Sequence, residues 1–284
     1  MFVIINADDF GWTEGINEGI LEAHRHGVLT SATLLTGMKA TNHAIELAKS
    51  YPRLSVGVHL SYGLGEPLVS VSELNALYKS DGKPKFKTAG LWFHASIRRK
   101  VRRQLDLHFR SQVEYVANQG LEITHLDTHK HLHYSPVIFE IVARIASDFK
   151  IPAVRLIKEN IADHGSWEVK TRASIAMLYW TAYVNMYKTA KHGLVCTNRF
   201  IGLTQTGKWT KQIFMDIIRT IRPGVTEIMM HPGHIDGLED EPTRLIDSRQ
   251  TELNILTYPT IKEHFYQCQM NMKLIGYRDL PKVR

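Results

Sequence analysis

Residues 2–9 read Phe2-Val3-Ile4-Ile5-Asn6-Ala7-Asp8-Asp9, an apolar, β-branched run that ends on two adjacent acids. The run shows little alternation, which is how strands covered on both faces look. Three further segments repeat the design. Val56-Gly57-Val58-His59 ends on a histidine. Ile123-Thr124-His125-Leu126-Asp127-Thr128-His129 ends in a polar cluster that continues through His131 and His133. Ile228-Met229-Met230-His231 precedes Pro232-Gly233-His234. Working outward from these, the strand candidates are residues 2–6, 31–36, 55–60, 123–127, 153–156 and 225–231. Helical patterns lie between them. Thr13 is placed to cap a helix in which Ile16, Ile20 and Leu21 recur at helical spacing, and Gly27 supplies its stop. Residues 43–50 and 136–149 are further helices, the second opening on a Ser135 cap and an N1 proline, Pro136. Strand alternating with helix predicts a parallel α/β fold, its sheet open or closed into a barrel.

In such folds the C-terminal strand ends gather around one site. A lone histidine at a strand end is most often structural. Asp8, Asp9, His59, His129 and His231 at four such ends point to a shared centre. Imidazole and carboxylate donors suit a transition ion such as zinc, and three protein ligands leave room for water. Magnesium prefers oxygen and fits two histidines less well. Neighbours on an ideal strand point to opposite faces, so Asp8 and Asp9 reach one site only where the chain bends. One would then bind metal while the other accepts a proton. The competing reading makes one acid a helix cap.

The chain has 284 residues, 44% hydrophobic and 22% charged, which suits one α/β unit over residues 1–284 with excursions near 61–92 and 160–210. Its two cysteines, Cys196 and Cys268, form no close pair, and a reducing compartment is the simpler reading. The N-terminal run is too short for a signal peptide. These features place the protein in the cytoplasm, with peripheral contact to the inner membrane left open. The net charge is +7. The basic run Arg98-Arg99-Lys100-Val101-Arg102-Arg103 reads first as a solvated helix face, and no nucleic-acid module accompanies it. Residues 61–92 are dense in glycine and proline, either an active-site loop or a plain surface insertion. Residues 173–187, ASIAMLYWTAYVNMY, carry no charge and are too short to span a bilayer. One stripe runs through Ile175, Leu178, Tyr179, Ala182 and Met186; Met177, Trp180, Val184 and Tyr187 fill the other side. Apolar stripes are more often core, so a buried or homodimer-interface helix is the expectation and a lipid-facing lid the alternative.

At these residues the sequence resembles the YdjC-type carbohydrate deacetylases. The matching pieces are NADDFG at 6–11, TSAT at 30–33, VGVHL at 56–60, THLDTHKHLH at 124–133 and HPG at 231–233. They fall in order across almost the whole chain. The resemblance implies a distorted β/α barrel of about seven parallel strands. It implies a divalent ion, Mg2+ or Zn2+, held by Asp9, His59 and His129. It makes Asp8 the catalytic base and His231 the acid that protonates a leaving amine, with Arg155, His131 and His133 as substrate-binding residues. Thr128 stands where the family usually has serine, a change that keeps the hydroxyl. Residues 192–207, HGLVCTNRFIGLTQTG, resemble a hopanoid-biosynthesis-associated branch, whose substrate would be an N-acetylglucosamine-bearing lipid. The reading that follows is hydrolysis of an N-acetyl group from a saccharide or glycolipid. A phosphoester hydrolase or sugar isomerase on the same barrel, and a non-enzymatic sugar- or lipid-binding protein, stay open as alternatives.

Overall fold

The computed structural model describes residues 1–159, 172–238, 241, 243–267 and 272–283. Seven parallel strands form one curled sheet in the order β5-β4-β3-β2-β1-β7-β6. They are β1 (Phe2–Phe10), β2 (Ser31–Leu34), β3 (Ser55–Leu60), β4 (Ile123–Thr128), β5 (Ala153–Val154), β6 (Arg199–Ile201) and β7 (Val225–Met230). A two-residue strand, β8 (Lys273–Leu274), adds to the start of β1. The sheet is an α/β barrel that stays open as a half-barrel between β5 and β6. β1 lies in its interior between β2 and β7, with Ile5 opposite Ile228 of β7 and Ala7 opposite Ala32 of β2.

Both faces of the central strands are covered, as their unbroken apolar runs require: Val3, Ile4, Ile5, Val58, Leu126 and Ile228 are fully buried. The helices supply the outer layer. α1 (Glu14–His26) begins where Thr13 accepts the Ile16 N–H at 3.1 Å and ends at Gly27. Thr13 therefore caps α1, and neither Asp8 nor Asp9 has that task. α2 (Thr41–Ser50), α3 (Thr88–Ile97), α4 (Arg99–Asn118) and α5 (Pro136–Asp148) follow, the last with proline in its first turn. Residues 61–87 are irregular but not detached. Leu74, Leu77 and Tyr78 are buried, and Tyr78 Oη meets His108 Nε2 of α4 at 3.1 Å.

α6 (Arg172–Lys191) departs from the core half of the expectation. Burial in the core is not what the helix does. Met177, Trp180, Tyr183 and Tyr187, spaced as one helical stripe, are 58%, 59%, 68% and 69% exposed. Its inward face is instead small and polar: Thr181, Ala182, Asn185 and Thr189 are buried. Asn185 Nδ2 donates to the carbonyls of His133 and Tyr134, both at 3.3 Å. Thr181 and Thr189 turn their hydroxyls back onto carbonyls of the same helix at 3.0 and 2.8 Å. The two threonine hydroxyls and Asn185 Nδ2 thus find partners on the inside, while the large apolar side chains are left outside. α7 (Lys211–Arg219), α8 (Asp247–Leu256), α9 (Pro259–Gln267) and α10 (Leu280–Val283) complete the chain. Among the described residues no helix is long and apolar enough to cross a membrane. Cys196 is buried, and Cys268 lies outside the described residues.

Candidate metal centre

The centre is built at the C-terminal ends of β1, β3, β4 and β7, around a cleft of about 600 Å3. Asp8, Asp9, His59, His129, His131 and His231 all line it. β1 solves the problem of two adjacent acids with a bulge. Its pairing with β2 steps from Ala7↔Ala32 to Phe10↔Leu34, one extra residue on β1, and Asp9 takes φ = 71°. Positive φ is uncommon outside glycine, and aspartate is among the side chains that tolerate it best. The kink turns both carboxylates into the cleft.

His59 Nδ1 lies 2.8 Å from Asp127 Oδ1, which leaves Nε2 facing Asp9 Oδ1 at 3.7 Å and Asp8 Oδ2 at 4.0 Å. A carboxylate behind a histidine, fixing its ring and leaving the far nitrogen bare, is the support that metal-ligating histidines receive. Burial alone would lower the His59 pKa; the carboxylates of Asp127, Asp8 and Asp9 outweigh it and hold the ring up at about 9. His129 opens a 3-10 turn, residues His129–Tyr134, with its Nδ1 3.4 Å from Asp9 Oδ1. Burial lowers its pKa. Lys130 and His131 follow at φ = 52° and 51°, and this left-handed step wraps the turn over the site.

Asp9 Oδ1 is buried and accepts no hydrogen bond among the described residues, while Oδ2 accepts from Arg249 Nη2 at 2.6 Å. Ligand atoms of Asp9, His59 and His129 all lie within 4.8 Å of one another. One bare carboxylate oxygen and two imidazoles form a donor set that fits a divalent ion. The three expected ligands are therefore brought together. Burial works to raise the Asp9 pKa, but Arg249 and His129 overcome it and hold the carboxyl well below its ordinary range.

Asp8 is gripped from below. Arg155 Nη1 and Nη2 reach its two oxygens at 2.9 and 2.7 Å, Asn6 Nδ2 donates to Oδ1 at 3.0 Å, and Thr33 Oγ1 lies 3.4 Å away. Against the upward push of burial, Arg155 and His59 keep Asp8 ionised far into acid. His231, just past β7, is 8% exposed; its Nδ1 has no partner among the described residues and its backbone N–H donates to Glu252 Oε2 at 2.5 Å. Burial lowers its ring pKa to about 4.

Two expected substrate residues are placed elsewhere. Arg155 is fully buried and does not line the cleft; besides Asp8 it pairs with Asp127 and, at 2.8 Å, with Glu227. A guanidinium at that depth needs carboxylates around it, and it has three. His133 is 1% exposed, its Nδ1 2.6 Å from Thr128 Oγ1, which also accepts the His133 N–H at 3.0 Å. The hydroxyl that threonine preserves at position 128 thus ties the turn to β4. Only His131 of the three reaches the cleft. His125 stacks on Tyr277 at 3.6 Å, away from the cleft, and leaves no room for a Cβ at Gly57, which would lie 2.5 Å from the ring.

Sequence reasoning did not assign Asp127, Glu227, Arg249 or Glu252. Glu227 left a signal, a charge inside the buried strand Val-Thr-Glu-Ile-Met-Met. Burial lifts its pKa to about 7, with Arg155 and Tyr277 opposing. Arg249 and Glu252 sit one turn apart on α8 in a stretch without any motif.

Residues 2–267 match the family described as YdjC-like protein. The chain belongs to the YdjC-like family. Two relatives of this family that span nearly the full chain are named carbohydrate deacetylase. One, from Brevibacillus brevis, is 30% identical over 99% of this chain and 100% of its own. The other, from Geobacillus stearothermophilus, is 31% identical over 99% of both. A solved structure from Enterococcus faecalis, of a protein named for cellobiose-phosphate cleavage, superposes with a TM-score of 0.74 at 22% identity, covering 98% of each chain. That likeness carries the fold of this YdjC-like chain.

Proposed function

We propose that the protein is a metal-dependent carbohydrate N-deacetylase that removes acetyl from an N-acetylglucosamine-containing saccharide or glycolipid. One observation carries the reading: Asp9, His59 and His129 present a bare ligand set beside an ionised Asp8, in one cleft with His231, whose ring Nδ1 has no partner among the described residues. The carbohydrate deacetylase name of full-length relatives supports it.

Asp9 Oδ1, His59 Nε2 and His129 would hold the divalent ion, Zn2+ or Mg2+. Bound there, it would supply Lewis acidity, lowering the pKa of water and polarising an amide carbonyl. The chain's own residues do the rest. Asp8 accepts a proton as water attacks the acetamide carbon, forming the new C–O bond. Arg155 keeps that carboxylate in one orientation. His231 takes up a proton from solvent as negative charge builds and delivers it to the sugar nitrogen, while Asp8 returns the proton it took from water to solvent. The C–N bond then breaks, giving acetate and the free amine. His131 and Trp12 wall the cleft.

The test is acetate release by purified protein from chito-oligosaccharides and from an N-acetylglucosaminyl lipid, with and without chelator, and with metal content measured on the same sample. Chelator-sensitive release is the expected result. Absence of release from both substrates by metal-loaded protein would sink the reading. Release from the soluble sugar alone would confine the substrate to saccharides.

A further inference from the structure

We propose that the face formed by α3, the start of α4 and α6 docks the protein onto an anionic lipid bilayer. This goes beyond the reaction proposed above and does not depend on it. α6 is amphipathic the wrong way round for a helix of a protein free in water. Its outward stripe is Met177, Trp180, Tyr183 and Tyr187, and Thr181, Asn185 and Thr189 point inward. Scattered exposed apolar residues are ordinary, but a continuous aromatic stripe marks an interaction surface. α3 adds Phe93 and Ile97, 60% and 59% exposed. The two helices pack on the same 3-10 turn, residues His129–Tyr134: Trp92 of α3 donates to the Leu132 carbonyl at 3.0 Å, while Asn185 of α6 holds the carbonyls of His133 and Tyr134.

Beside this apolar surface runs a groove of about 720 Å3 between α4, α5 and α6. Arg99, Arg102 and Arg103 line one side of it, with Arg144 and Lys188 opposite. Its acids are already committed. Asp106 is bound by Arg110 and Arg144, and Glu140 by Lys188, Lys191 and His192. Arg102 spends its guanidinium on the Ala95 and Ser96 carbonyls at the α3–α4 junction. Arg99 and Arg103 have no ion pair among the described residues and are exposed. The surface therefore offers tryptophan and tyrosine next to unneutralised arginine. A bilayer interface takes the aromatic rings at headgroup depth and draws the cations to its anionic phosphates. A second copy of a chain with net charge +7 would bring like charge to this groove. The charge complementarity favours the anionic bilayer.

The test is co-sedimentation with vesicles of phosphatidylcholine alone or with about 30% phosphatidylglycerol. It needs neither metal nor turnover, so it stands apart from the deacetylase assay. Wild type pellets with the anionic vesicles and far less with the neutral ones, and salt near ~0.5 M weakens the binding. Arg99→Glu/Arg103→Glu lowers the apparent affinity at least tenfold, since each basic residue near such a surface is worth roughly fivefold. Trp180→Ser/Tyr183→Ser lowers it too, while both variants keep wild-type circular dichroism. Failure of wild type to pellet with anionic vesicles overturns the proposal, as does pelleting that neither variant alters. Sedimentation equilibrium showing a dimer that Trp180→Ser/Tyr183→Ser dissociates, without vesicle binding, would assign the face to self-association and overturn it as well.

Discussion

Arg155 grips both carboxylate oxygens of Asp8, at 2.9 and 2.7 Å, from a position with no exposure to solvent. The same guanidinium neutralises Asp127 and Glu227, so one buried cation holds together groups from β1, β4 and β7. Arg155→Met would leave Asp8, Asp127 and Glu227 crowded, with His59 the cation still beside the first two. Removing one member of such a buried network costs about 3–5 kcal/mol. In urea melts the midpoint should fall sharply, and Arg155→Lys should recover only part, since an ammonium cannot grip Asp8 with two parallel bonds. An Arg155→Met protein as stable as wild type would show that the network contributes little.

Asp8→Asn keeps the shape of the side chain and removes its basicity. Arg155 retains Asp127 and Glu227, and the Asp9, His59 and His129 set is untouched. The variant should fold and bind metal as wild type does. Its kcat should fall by about 10²–10⁴, the usual contribution of a positioned general base. Metal content measured beside turnover separates this from site collapse. Near-normal turnover in the variant would remove Asp8 from the role of base.

Asp127→Asn probes the ring behind the site. Asp127 holds His59 Nδ1 at 2.8 Å and so directs Nε2 to Asp9. An asparagine amide flips to offer either oxygen or nitrogen, and the ring loses its anionic anchor. Metal affinity by calorimetry should drop about 10–100-fold, as it does when outer partners of ligating histidines are changed. An unchanged dissociation constant would mean that the ring is set by packing alone.

The strand ends were legible because each is an apolar run that stops on a polar residue: residues 55–60 were predicted as a strand, and β3 is Ser55–Leu60. β6 and β8 are too short to leave a period, three and two residues. The strand ends pointed to a shared centre and the resemblance supplied the proposed ligand roles, yet the feature that lets Asp8 and Asp9 share a cleft, a bulge with φ = 71° at Asp9, has no signature in sequence. Arg155 illustrates a different limit. Its place after β5 puts it at the correct edge of the sheet, but depth is decided by the acids that meet it there, and Glu227 lies 72 residues away in the chain. Arg249 is further still, 240 residues from Asp9. The α6 stripe shows the limit most plainly. Composition announced an apolar helix, and only packing reveals that Asn185 and Thr189, not Trp180 and Tyr183, face the protein.

His231→Asn tests the acid. Burial holds the ring near 4, so at neutral pH the resting imidazole carries no extra proton and gains one only when charge builds beside it. The variant should lose about 10²–10⁴ in kcat on an acetamido sugar, whose amine must be protonated to leave. An acetyl ester with a nitrophenolate leaving group needs no such proton, and the loss there should be much smaller. Equal losses on both substrates would make His231 a binding or structural residue.

Glu140 carries a prediction about acid stability. It joins α5 to α6 through Lys188 Nζ at 2.5 Å, His192 Nε2 at 3.0 Å and Lys191 Nζ at 3.2 Å. Burial would raise its pKa, but the hydrogen bonds from Lys188 and His192 prevail and bring it from 4.5 down to about 2. The folded state thus binds this proton less tightly than the unfolded chain. The contribution to stability is fully present above pH 4.5, declines as pH falls below that, and is gone once pH has passed the folded value near 2. A third of the side chain is open to solvent, so screening limits the contribution to about 1 kcal/mol at most. Glu140→Gln should therefore be slightly less stable than wild type in urea melts near neutral pH, and the two curves should draw together as the melts are repeated toward about pH 3. Curves that separate further in acid would reverse the sign and rule out a depressed Glu140 as the link between the two helices.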